Sequence, residues 1–110
     1  MTLKEARAEL ILSGVDEHTV TLFIAWLKNH LDVWKQFETK SLRLIASGVE
    51  HYGAKAIFEV IRYENVVEKK IDFKCNNNYA AYLARLFVIK FPAHRDFFEF
   101  RDVKGLRRAA

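Results

Sequence analysis

Apolar residues recur at intervals of three and four along most of this chain. Val20, Phe23, Ile24, Leu27 and Leu31 stand at i, i+3, i+4, i+7 and i+11, and Trp34, Phe37, Ser41, Leu44 and Ile45 continue the spacing. Such a pattern lays one side of an α-helix against a core. Few residues interrupt it: one Pro and four Gly in 110 residues are too few for a turn-dense β-sandwich. Hydrophobic residues make up 51% of the chain, enough to pack a core, which excludes a chain disordered throughout. The length suits one domain, 1–110. A single Cys excludes an internal disulfide framework and a Cys-based zinc site. No apolar run approaches the roughly 18 residues of a membrane span, and Met1-Thr2-Leu3-Lys4-Glu5 lacks the apolar stretch of a signal peptide. The expectation is a soluble, cytoplasmic, mainly α domain without a membrane partner.

Local signals divide the chain into about five helices. Thr2 with Glu5 three residues later is a capping-box start, and Gly14 can end that first helix. Asp16 is an N-cap for the second helix. Asn29-His30-Leu31-Asp32 predicts a break, with Asp32 capping a third helix that Gly48 stops. The fourth begins near Gly53 and keeps Ala54, Ile57, Phe58 and Ile61 in register to about Glu64. The fifth runs from about Asn78 to Lys90, where Pro92 ends it. Ile57, Phe58, Ile61, Leu83, Leu86, Phe87 and Phe98 are expected to form one buried cluster.

Two segments read differently. Ile71, Phe73 and Cys75 alternate with Asp72 and Lys74, as in a strand over 70–75; Phe98, Phe100 and Val103 alternate with charged residues over 97–103. Their pairing predicts a small two-stranded antiparallel β element beside the fifth helix. Residues 49–103 then have the parts of a winged helix-turn-helix, after a helical half at 1–48 and before a basic tail at 104–110. In that arrangement the fifth helix enters the major groove with its first residues on base edges.

The second half also resembles a family of small bacteriophage and bacterial proteins. The resemblance rests on His51-Tyr52-Gly53-Ala54-Lys55-Ala56-Ile57, Ile61-Arg62-Tyr63-Glu64, Asp72-Phe73-Lys74, Asn76-Asn77-Asn78-Tyr79, Tyr82-Leu83-Ala84-Arg85-Leu86-Phe87 and Phe91-Pro92 with Phe97-Phe98 and Arg101. The family often has Trp at the place of Tyr63 and Pro at that of Ala81. The resemblance implies a phage or prophage origin, and so a bacterial host cytoplasm; the family brings no established activity.

Charge suggests a partner. The net charge is +4, and residues 79–110 carry seven bases against Asp96, Glu99 and Asp102. A basic end fits a polyanion through counterion release. The leading expectation is therefore a non-enzymatic protein binding double-stranded DNA, in a regulatory or accessory role. Lys74, Asn77, Asn78 and Arg85 would lie nearest the groove, with Lys90, Arg95 and Arg101 on flanking phosphates. The alternative is an accessory protein that binds and inhibits a host protein, without nucleic acid, through its aromatic and acidic N-terminal half. Dimerisation through the N-terminal helices is compatible with either. His18, His30, His51 and His94 have no zinc-pair spacing on one helix, and Gly48 and Gly53 match no nucleotide loop, so neither metal nor cofactor is expected. Arg62 and Arg85, on otherwise apolar helices, are read as ion-paired with Glu59, Glu64 or Asp72 or as contact residues.

Overall fold

A computed structural model of the chain describes residues 2–70 and 78–99. Over these residues the chain forms α1 (Leu3–Leu12), α2 (Glu17–Lys28), α3 (Leu31–Ala46), α4 (Ala54–Lys69) and α5 (Tyr79–Lys90), then one 3₁₀ turn at Pro92–His94.

Short-range chemistry sets the helix ends. The Glu5 N–H donates to the Thr2 hydroxyl and the Thr2 N–H donates to the Glu5 carboxylate, each at 3.1 Å, so the expected capping box opens α1. Asp16 accepts from the Thr19 N–H at 3.0 Å and opens α2. Gly14 and Gly48 leave α1 and α3 at φ of 97° and 90°, in the left-handed region a side chain would strain. Asp32 is not the cap of α3. His30 holds that position, and Asp32 sits in the first turn, 3.4 Å from Lys69.

The helices pack as two pairs around α5. α1 lies on α2 and α3 on α4, while α5 touches α1, α3 and α4. The pair α3 and α4 runs antiparallel, since Asp32 near the start of α3 meets Lys69 at the end of α4. Ala80 and Ala84 are buried on α5, and their small side chains let the neighbouring helices come close. The expected cluster of Ile57, Phe58, Ile61, Leu83, Leu86, Phe87 and Phe98 is buried as one core, which also takes in Leu10, Val20, Phe23, Val33 and Phe37.

Aromatic rings gather at both ends of α5. Near its start, Phe23 meets the edges of Tyr79 and Tyr82 at 5.1 and 5.3 Å, and Trp26 stacks on His30 at 4.5 Å. Near its end, Phe98 contacts Phe37 and Phe87, each at 5.5 Å, and Phe97 at 4.8 Å.

The winged helix-turn-helix expected over 49–103 is not the fold. Among the described residues there is no strand. Helix α4 does not stop near Glu64; it runs on through Val66 and Val67 to Lys69 and ends at Lys70, in the left-handed conformation at φ 58°. Of the expected strand over 70–75, residues 71–75 lie outside the described residues, as do 100–103 of its partner. The described start of that partner, 97–99, is not a strand, and the chain bends at Phe97 and Phe98. Phe97 and Phe98 are both buried, although successive residues of a strand face opposite sides. The Phe97 N–H donates back to the His94 carbonyl at 3.0 Å, and its own carbonyl accepts from the Tyr52 N–H at 3.4 Å. The alternation of Phe98 and Phe100 with charged residues pointed to a strand, but Phe97 beside them needed burial too, and a turn meets both needs.

Candidate interaction surface

The residues expected at a DNA groove are spread over three settings. Lys74, Asn77 and Arg101 lie outside the described residues. Asn78 stands at the N-cap of α5, but its side chain makes no capping bond; it is hydrogen-bonded with the Tyr82 hydroxyl. Arg85 is half-buried, with its Nε enclosed, and its charge acts on Tyr82. Asn78 and Arg85 are thus brought together around one tyrosine. Burial pushes the Tyr82 pKa above its ordinary value, against the Arg85 charge and the Asn78 bond, which both pull it down.

Lys90 and Arg95 are exposed at the far end of α5. The Lys90 Nζ is 2.9 Å from the carboxylate of Glu38 on α3 and 5.4 Å from the centre of the Phe91 ring. Arg95 follows the 3₁₀ turn. Other bases are also paired with acids: Lys40 with Glu64 at 2.8 Å, Lys69 with Asp32, Arg7 with Glu17 at 3.3 Å, and Arg62 with Glu59 at 3.4 Å. The last is one of the pairings expected for Arg62.

Two histidines serve the fold. The His51 Nδ1 is 3.0 Å from the Asp96 carbonyl, tying the loop before α4 to the end of the described chain, and the His30 Nδ1 is 2.7 Å from the Trp26 carbonyl. Among the described residues no three His, Cys, Asp or Glu side chains converge as metal ligands would. No helix among them is long and apolar enough to cross a membrane.

The feature that composition and spacing did not single out is on α4. Its inner face buries Ile57, Phe58, Ile61 and Asn65. Its outer face carries a second apolar stripe, Ala56, Val60, Tyr63 and Val67, at steps of four, three and four. At about 100° per residue these four fall within an arc of roughly 60°, turned well away from the buried face. All four are exposed, Val60 at 43%, Tyr63 at 70% and Val67 at 52%. Tyr52, exposed at 41%, precedes the stripe by four residues, and Val66 borders it. Glu59 and Glu64 flank it on opposite sides, 51% and 38% exposed. The remaining large exposed apolar residues, Leu12, Leu22 and Leu31, stand one to a helix on α1, α2 and α3. The signal is a second three-four repeat offset from the first, and its last member, Val67, lies beyond the end near Glu64 that the sequence predicts for this helix.

Comparison with protein-family models, curated proteins and solved structures finds no match for this chain.

Proposed function

We propose that this chain is a protein-binding accessory module, without catalytic chemistry, that engages its partner through the outer face of α4. One observation carries the reading: α4 holds two apolar stripes, and the core uses only one of them. Scattered exposed apolar residues are ordinary, whereas a contiguous exposed row on a rigid helix is how interaction sites present themselves. Two further features agree. Helix α5, the element that would read DNA, has seven of its twelve residues buried. Lys90, a proposed phosphate contact, is held by Glu38. A base that neutralises its own acid releases fewer counterions from DNA.

The test has two arms. The first is titration of the full chain with random duplex DNA at low and high salt. Saturable binding with a steep salt dependence would overturn the proposal in favour of a nucleic-acid partner. The second is selection of displayed protein fragments on the immobilised chain. Fragments that bind the parent are expected to lose binding to Tyr63→Asp and to keep it with Leu22→Asp, a change at another exposed apolar site, on α2. Fragments indifferent to Tyr63→Asp would place the contact elsewhere.

A further inference from the structure

Resting on that reading, we infer that the occupant of the α4 face is a single amphipathic α-helix of another protein, carrying Lys or Arg beside its apolar seam. The steps of four, three and four from Ala56 to Val67 are those of a heptad seam, with Val60 and Val67 at a positions and Ala56 and Tyr63 at d positions. A seam of this period keeps in contact with another helix lying nearly along it, at a crossing of about 20°. It does not match a strand, whose side chains repeat every two residues. β-branched Val at both a positions and the alternation of small Ala56 with large Tyr63 give the partner's side chains ridges and a recess to enter.

The flanks choose the kind of helix. Glu59 occupies the g position before Val60 and Glu64 the e position after Tyr63, so acid stands on both sides of the seam. In parallel pairing a g residue faces the e residue of the next heptad on the other helix. A second copy of this chain would therefore set Glu59 against Glu64 twice, the like-charge contact that selects against self-pairing. An incoming helix with basic flanks meets a carboxylate on each side. The existing pairs of these acids leave room for that. Glu59 and Glu64 already pair with Arg62 and Lys40, so a basic flank shares or competes for these carboxylates through the open area that 51% and 38% exposure leaves.

A display library of helical peptides tests the inference: apolar residues at a and d, and Lys, Glu or Gln randomised at e and g. On the folded chain, Lys is expected to be enriched at the flanking positions, and the selected peptides to bind at least tenfold more weakly to Tyr63→Asp. The double variant Glu59→Gln, Glu64→Gln, which removes the acid without setting like charges against Arg62 and Lys40, should abolish the preference for Lys while circular dichroism stays as in the parent. Enrichment without flank preference would overturn the inference and leave the protein-binding reading in place. No enrichment, together with self-association in sedimentation that Tyr63→Asp abolishes, would overturn it in favour of a second copy. Fragments that depend on Tyr63 but bind in non-helical form would likewise remove the helix and keep the surface.

Discussion

Helices α4 and α5 lie against each other, yet they use their apolar residues in opposite ways. α5 buries seven residues out of twelve, spread over an arc of about 200° at 100° per residue, and sits between α1, α3 and α4. α4 buries four out of sixteen and exposes Val60, Tyr63, Val66 and Val67. A helix with so wide an apolar face needs neighbours on more than one side. A helix with two separated stripes needs only one neighbouring layer, and its second stripe is surplus to folding. The difference separates residues that hold the domain together from residues available to something outside it.

The most drastic way to break this comparison is to remove a ring from the shared core. Phe87→Ala on α5 and Phe58→Ala on the inner face of α4 should each cost about 3–5 kcal/mol, through lost transfer energy and the cavity left behind. Urea denaturation measures it; a midpoint equal to the parent's for either variant would contradict the assigned core. Adding volume distinguishes the helices next. Ala84→Leu, at a site 1% exposed, should destabilise by about 1–3 kcal/mol through overpacking, whereas Ala56→Leu on the outer stripe should stay within about 0.5 kcal/mol.

Acid sharpens the contrast from another side. Backbone and side-chain hydrogen bonds from Thr19 hold the Asp16 carboxyl below its ordinary pKa, and those of Thr2 do the same for Glu5. A lowered folded-state pKa adds stability that is complete above the unfolded value and lost as pH falls through the folded one. Helices α4 and α5 have no side-chain capping bond. As pH drops below the ordinary carboxylate range, amide exchange should therefore rise first at the starts of α1 and α2, before α4 and α5. Asp16→Asn should remove that order at α2. The smallest effect is expected at Tyr63→Ser: a change of stability within about 0.5 kcal/mol in the same urea assay, since the ring is 70% exposed. A larger loss would mean that the outer stripe belongs to the fold.

Much of the fold was legible because helix ends and core stripes are local properties. Thr2 with Glu5, Asp16, Gly14 and Gly48 act within a few residues, and their effects hold in the assembled chain. What failed depended on distant partners. Val66 and Val67 have β-branched side chains that favour strands weakly, and continuation of α4 overrode that preference. Phe98 and Phe100 fitted a period of two only while the need of Phe97 for the Phe98–Phe37–Phe87 cluster was unknown. The basic residues of α5 likewise looked free in one dimension, but Glu38, the partner of Lys90, stands fifty-two positions away. The outer stripe was hidden by its neighbour: Ile57, Phe58 and Ile61 accounted for α4 so well that a second repeat in the same helix went unread.

The contact of α1 with α5 has a consequence in time. A chain emerging from the ribosome presents α1 and α2 first, and those two helices can pair at once. Leu10, Val20 and Phe23 finish in one core with Tyr79, Tyr82 and Leu83, however, and these arrive only with α5. At the roughly 5–20 residues per second of synthesis the early hairpin waits for seconds with its apolar side uncovered. The core therefore closes only once Tyr79–Lys90 has cleared the exit tunnel and can pack on α1 and α2.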